Sequence, residues 1–310
     1  MELIRGIHNI KPQHKGCVLT IGNFDGVHLG HMSVLSQLKA SSEKHQLPSV
    51  VMTFEPQPVE VFNPAAAPAR LIRWRDKYQL LQPHVDRLLC VRFNQAFANL
   101  PAEEFVSDLL VNKLGVKHLV IGDDFKFGCK RQGDFALLQV LAKKYHFSVE
   151  DTQSCILQSE RVSSTAIRER VAKDDFVGAQ RLLGRPYSVW GTVVHGAKNG
   201  RTIGFPTANI LMHRKVSPVS GVFAVQVKLD GRLYDAVANV GYRPTLNGKQ
   251  NQLEVHIFDF AGDLYQQRLQ VIFRHKIRAE QKFESLAALQ QQIVLDCQTA
   301  KQFFALERAE

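Results

Sequence analysis

Two stretches of this chain gather residue types that handle phosphates. From residue 22 it reads Gly22-Asn23-Phe24-Asp25-Gly26-Val27-His28-Leu29-Gly30-His31. Glycines let the backbone approach a ligand closely. A helix beginning here offers unpaired N–H groups and its positive dipole end to an anion. His28 and His31, three residues apart at that helix start, project from neighbouring positions. Two imidazoles beside a phosphate donate hydrogen bonds and, when protonated, offset charge that develops during group transfer. A Gly-rich turn with two capping histidines would use the same residues. Both histidines together with three glycines favour the phosphate.

The second stretch reads His195-Gly196-Ala197-Lys198-Asn199-Gly200-Arg201-Thr202-Ile203-Gly204-Phe205-Pro206-Thr207-Ala208-Asn209. It lacks the G-x-x-x-x-G-K-[ST] of a P-loop, yet its glycines permit a backbone that wraps phosphates. Thr207 and Asn209 supply hard neutral oxygens two residues apart, hence on one face of an extended segment. That donor type suits Mg²⁺, which keeps water and phosphate in its shell. A turn whose Thr and Asn satisfy backbone groups is the plainer alternative. Glu254, His256 and Phe258 alternate along another strand. A carboxylate among apolar neighbours makes a better proton acceptor from an alcohol, although an edge-strand glutamate facing water has the same spacing. Elsewhere, Val162-Ser163-Ser164-Thr165-Ala166-Ile167-Arg168 offers hydroxyls that cap a helix and an arginine that can grip phosphate bidentately.

These residues need elements to position them. Strand-like runs at 18–21, 49–54, 87–91, 117–121 and 147–149 alternate with helical patterns at 30–45, 101–114 and 134–145. The second of these helices has Pro101 at its start. Alternating strand and helix predicts a parallel sheet wrapped by helices on both faces. Such sheets bind ligands at the carboxyl ends of their strands. Near Gly184-Arg185-Pro186 the apolar period falls from 3.6 towards two. Strand patterns at 189–194, 222–229, 233–240, 253–260 and 268–273 follow, with Asp230-Gly231 as a hairpin signal, and an amphipathic helix spans 285–304. Antiparallel strands with one helix predict a small barrel or sandwich.

Composition bounds the rest. A chain of 310 residues with 45% hydrophobic and 22% charged residues has room for two ordinary folded domains. Its net charge of +10 favours anionic partners, but no run of like charge marks a nucleic-acid module. The five cysteines, Cys17, Cys90, Cys129, Cys155 and Cys297, are widely spaced without a C-x-x-C pair, which argues against a disulfide framework or structural zinc. Met1-Glu2-Leu3-Ile4-Arg5 opens no signal peptide, and no apolar run reaches membrane-span length. The expectation is a cytoplasmic protein acting on small molecules, with no nucleic acid, membrane or obligate protein partner.

The H-x-G-H signature resembles that of nucleotidyltransferases akin to class I aminoacyl-tRNA synthetases. In its longer form, G-x-F-D-G-x-H-x-G-H, the segment is similar to the adenylyltransferase half of bacterial bifunctional riboflavin kinase/FAD synthetases. Gly122-Asp123-Asp124-Phe125-Lys126-Phe127-Gly128, with Arg131 and Gly133, and the 162–168 segment resemble two further motifs of that family. G-R-T-x-G-F-P-T-A-N, ending at Asn209, resembles its riboflavin kinase signature, and segments at 239–245 and 277–283 match as well. The resemblance implies a Rossmann-like nucleotidyltransferase domain over residues 1–184 and a small antiparallel β-barrel with a terminal helix, the riboflavin kinase domain, over 185–310. It implies ATP as co-substrate with Mg²⁺, and riboflavin, FMN and FAD as substrates and products.

By the same resemblance, Gly22, Asn23, Phe24, Asp25, Gly26, His28, Gly30, His31, Arg161, Ser163, Ser164, Thr165 and Arg168 hold ATP for adenylylation. Phe54, Pro56, Pro58, Arg70, Asp124 and Phe127 would hold flavin there; the residues alone leave Asp123 and Asp124 equal, and the family favours Asp124. In the kinase half, Gly196, Lys198, Gly200, Arg201, Gly204, Thr207 and Asn209 would hold ATP and its metal. Arg278 and Phe283 would line the flavin site, and Glu254 would be the base. Ile72, Trp74 and Tyr242 depart from the family's usual residues.

Overall fold

The computed structural model describes residues 1–122, 124–195, 204–212, 216–245 and 248–309. They form two compact units: residues 1–68 with 72–164, and residues 69–71 with 165–310.

In the first unit, β1 (Glu2–Arg5), β2 (Cys17–Ile21), β3 (Ser49–Glu55), β4 (Arg87–Arg92), β5 (Val116–Gly122) and β6 (Ser148–Thr152) build one parallel sheet in the order β1-β4-β3-β2-β5-β6. The inner strands β2 and β3 are mostly apolar and buried because both faces are covered, whereas the edge strands β1 and β6 are more polar and exposed. Their period of two divides the side chains between two cores. Cys17, Leu19, Ile21, Val50, Met52, Leu119 and Ile121 meet Phe105, Leu109, Leu138 and Leu141 on one face. Val18, Val51, Leu88 and Val120 meet Leu35, Leu38 and Leu81 on the other. Those partners come from α1 (Leu29–His45), α3 (Trp74–Leu81), α6 (Phe135–Tyr145) and a π-helix at Phe105–Lys113. Short helices α2 (Pro58–Phe62), α4 (Gln95–Ala98) and α5 (Ala102–Glu104) lie in the connections. The helix expected over 101–114 is thus an α-turn running into π-helix, where the Leu114 N–H donates to the Leu109 carbonyl at 3.1 Å. Strand β1 has no counterpart in the sequence reading: only Ile4 of its four residues is buried.

The strand order reverses between β2 and β5, which are neighbours in the sheet though three strands apart in sequence. Loops leaving the carboxyl ends of strands flanking such a point open a crevice for ligands. A two-residue hairpin, β7 (Ile156–Leu157) and β8 (Glu160–Arg161), completes this unit.

The second unit contains β9 (Ser188–Val194), β10 (Ala208–Leu211), β11 (Gly221–Leu229), β12 (Arg232–Thr245), β13 (Gly248–Ile257) and β14 (Arg268–Arg278). They close into an antiparallel barrel in the order β10-β13-β12-β11-β14-β9, so the barrel, not the sandwich, is realised. The Asp230-Gly231 turn joins Leu229 to Arg232 with φ of 47° and 81°, left-handed at both positions as a type I′ turn requires. The strand expected at 253–260 stops at Ile257. Phe258 instead packs under the terminal helix α9 (Leu286–Glu307), and Asp259 turns left-handed at φ 53°. Among the described residues no helix is long and apolar enough to cross a membrane.

Helices α7 (Ser164–Ala172) and α8 (Phe176–Leu183) pass into this unit. Phe176 sits 5.7 to 6.3 Å from the rings of Tyr187, Phe223 and Phe273, and Lys276 pairs with Asp174 at 2.7 Å. Truncating Phe176 to Ala should cost about 3–5 kcal/mol, read as a lower melting temperature. Asp175 caps α8, and its carboxyl is held below the usual value by Arg170 first and then by the Gly178 N–H. A depressed folded pKa gives stabilisation that is complete above the unfolded pKa and is lost as pH falls through the folded one. The melting temperature of Asp175→Asn should therefore fall less steeply on acidification than the parent's; an unchanged acid slope contradicts this.

Candidate active sites

The 22–31 segment leaves the carboxyl end of β2 at the point where the strand order reverses. Gly22 N–H still donates to Met52 O at 3.0 Å, and then the chain departs from the sheet. Phe24 and Val27 take φ of 48° and 42°, and Gly26 takes 88°. His28 is the N-cap of α1 and forms a capping box with imidazoles in both roles. Its Nδ1 accepts from the His31 N–H, and His31 Nδ1 accepts from the His28 N–H, each at 3.3 Å. Both Nδ1 atoms are acceptors, so each neutral ring carries its proton on Nε2 as a donor. The rings stack with centroids 3.6 Å apart. Space beside Gly30 is tight: a Cβ there would meet Val162 O at 3.1 Å and the His28 ring at 3.2 Å.

The other residues expected to hold ATP or flavin are distributed over several elements. Ser164 starts α7 and donates to Asp25 O at 2.8 Å, with Ser163 just before it. The buried Asp25 carboxylate accepts from Ile72 N–H at 3.2 Å. Arg161 on β8 pairs with Asp124, in the loop after β5, at 3.3 Å. Phe54 ends β3, and Phe127 is buried; the rings of Phe97 and Phe105 connect them in steps of 5.6 to 6.1 Å. Pro56 and Pro58 stand half-buried on either side of Gln57. Arg70, Thr165 and Arg168 belong to the second unit, where Arg168 Nε donates to Ala69 O at 2.9 Å.

Sequence reasoning missed several residues around this loop. Ile72 and Trp74 pack in the cluster that anchors Phe24 and Val27. Lys77 donates from Nζ to Asn23 O at 2.6 Å. Gln57 Nε2 is buried without an acceptor among the described residues, and an unmet buried donor costs about 1–3 kcal/mol unless a ligand satisfies it. The available signal was the turn-and-proline context of the segment, which says nothing of burial.

In the barrel, Asn209 on β10 stands opposite Glu254 on β13, and Glu254 stands opposite Asn239 on β12. Gln252 Nε2 donates to Glu254 Oε1 at 2.9 Å and also to Asn209 Oδ1. The amide of Gln252 thus stands beside the carboxylate, while the alternate Leu253, Val255 and Ile257 are buried. His256 Nδ1 donates to Pro206 O at 2.9 Å and so fixes the strand against the chain entering Thr207. Arg278 is gripped by the buried Asp296 through contacts of 2.8 to 3.1 Å and lies over the Phe283 ring at 5.5 Å. Gly204 is left-handed with open space around it. Gly196, Lys198, Gly200, Arg201 and Asp123 lie outside the described residues, as does the Tyr242 side chain. Among the described residues no three His, Cys, Asp or Glu side chains gather as metal ligands.

A family model described as FAD synthetase matches residues 10–166, and one described as riboflavin kinase matches residues 183–304. A bifunctional riboflavin kinase/FMN adenylyltransferase of Haemophilus influenzae is 53% identical over 98% of this chain and 99% of its own. The chain belongs to this family of bifunctional riboflavin kinase/FMN adenylyltransferases. A member from Escherichia coli is 52% identical over 99% of each chain, and one from Pseudomonas fluorescens 49% over 97% of each. A solved structure described as a macrolide-efflux protein from Streptococcus pneumoniae is also similar, with a TM-score of 0.80 and 30% identity over 97% of this chain and 99% of that one. The enzyme phosphorylates riboflavin to FMN and adenylylates FMN to FAD, with ATP as donor in both reactions.

Proposed function

We propose that the two reactions run at two separate ATP sites, adenylyl transfer at residues 22–31 and phosphoryl transfer beside Asn209 and Glu254. The observation that carries this reading is that the His28–His31 cap and the Asn209–Gln252–Glu254 network lie in different compact units. Divided by activity, residues 1–184 serve adenylyl transfer and residues 185–310 serve the kinase.

In adenylyl transfer the FMN phosphate attacks the α-phosphorus of ATP and pyrophosphate leaves. A phosphate dianion is already a nucleophile, so no side-chain base is needed. Positioning and charge stabilisation do the rest. The Nε2 donors of His28 and His31, the N-termini of α1 and α7, and Arg161 and Arg168 bind the ATP phosphates, with Ser163, Ser164 and Thr165 around the α7 start. The glycines and Asn23, Phe24 and Asp25 shape the backbone. Phe54, Pro56, Pro58 and Phe127 wall the isoalloxazine, with Arg70 and Asp124 at polar edges.

In phosphoryl transfer Glu254 accepts the proton of the terminal ribityl hydroxyl as its oxygen attacks the γ-phosphorus. Gln252 orients both Glu254 and Asn209. Thr207 and Asn209 are the Mg²⁺ ligands; Asn209 Oδ1 takes one hydrogen bond from Gln252, and a carbonyl oxygen has a second lone pair for a hard cation. When bound, the ion neutralises charge on the ATP phosphates. Gly196, Lys198, Gly200, Arg201 and Gly204 wrap those phosphates, and Arg278 and Phe283 line the flavin. The enzyme works in the cytoplasm on these small molecules without nucleic acid, membrane or an obligate protein partner.

Glu254→Gln should lower FMN formation from riboflavin by about 10²–10⁴-fold and leave FAD formation from supplied FMN intact. His31→Ala should do the reverse. Chromatography of the flavins separates the cases; parallel loss of both activities in either folded variant contradicts two sites.

A further inference from the structure

The loop bearing His28 and His31 holds a backbone shape that only its surroundings impose. Phe24 and Val27 carry side chains yet sit at φ of 48° and 42°, a region such residues occupy when neighbours overdetermine them. Their side chains are anchored in the core with Ile72. The main chain is tied as well. Asp25 accepts from Ile72 N–H on its carboxylate and from Ser164 Oγ on its carbonyl, at 3.2 and 2.8 Å. Asn23 O accepts twice, from Thr53 Oγ1 at 3.3 Å and from Lys77 Nζ at 2.6 Å.

Lys77 is the unusual member of this set. It is 1% exposed, and lysine is almost never so buried unless its charge does something inside. A methionine of similar length would fill the space without desolvating a cation, so packing does not account for the ammonium. Its position does. In a trans peptide the N–H points opposite to the C=O. With the Asn23 carbonyl turned inwards to Lys77, the Phe24 N–H is turned the other way. A cation on the carbonyl end polarises that amide and strengthens its N–H as a donor to an anion.

We propose that Lys77 is a positioning residue for adenylyl transfer: it locks the Asn23–Phe24 peptide and makes the Phe24 N–H an anion donor of the ATP site. The proposal rests on residues 22–31 being that site. In this role Lys77 acts through the peptide it holds.

The test compares full-length parent, Lys77→Met, Lys77→Arg and His31→Ala. Steady-state FMN adenylylation, riboflavin phosphorylation and thermal melting are read on each preparation. Lys77→Met should lower the adenylylation kcat about tenfold to a hundredfold, with KM for FMN within about twofold. Its riboflavin phosphorylation and melting temperature should match the parent's. Lys77→Arg, which keeps a cation, should recover part of the kcat. Retained kcat in Lys77→Met beside an inactive His31→Ala overturns the role of Lys77 alone. Retained activity in His31→Ala overturns the site assignment and the proposal with it. Loss of kcat together with an earlier melt, unrelieved by arginine, makes Lys77 merely structural and also overturns the proposal. If Lys77→Met does not fold, Thr53→Val removes the other hydrogen bond to the same carbonyl. It should then lower the same kcat in smaller measure, and an unchanged kcat there counts against the proposal.

Discussion

Everything in the first unit serves one constraint: a short loop must leave a buried parallel strand, turn left-handed at non-glycine residues, and start a helix with its N–H groups open. Residues that carry Cβ resist that backbone, so it has to be held from outside. Phe24 and Val27 are pinned by the apolar cluster around Ile72, and Asn23 and Asp25 by polar atoms from β3, α3 and the start of α7. The reciprocal cap of His28 and His31 then uses the ring Nδ1 atoms to satisfy two N–H groups at the start of the helix.

The second unit meets a different problem. A barrel closed through β9 and β10 removes exposed sheet edges and fixes which residues face each other. Register alone brings Asn209 and Asn239 to either side of Glu254. Gln252, two residues before Glu254 on the same face, ties the acid to the amide. The terminal helix contributes differently, since its buried Asp296 orders Arg278 over Phe283.

Much of this was legible in the chain because it follows from local rules. The period change near residue 184, the Asp-Gly hairpin and the order of the motifs identify both folds. His28 and His31 were found because their spacing places them at one helix start. What stayed hidden depends on long-range packing. Trp74 and Ile72 look like departures in a flavin loop, yet they pack against Phe24 and Val27 of the 22–31 loop from another element. Lys77 reads as an ordinary helix-surface lysine until its burial is known. The surroundings of Glu254 were misjudged because a neighbouring strand, not its own, supplies the amide of Asn209. The π-helix at Phe105–Lys113 keeps an α-like apolar pattern, so sequence periodicity cannot announce it.

The central claim, that one chain carries out phosphoryl transfer and then adenylyl transfer with ATP as donor in both, is tested most directly by product stoichiometry. Riboflavin and excess Mg-ATP are incubated with the intact enzyme, and flavins, ADP and pyrophosphate are counted together. The two reactions require one ADP and one pyrophosphate for every FAD formed, with ADP alone matching any FMN that accumulates. FAD made without pyrophosphate, or FMN made without ADP, would contradict the account.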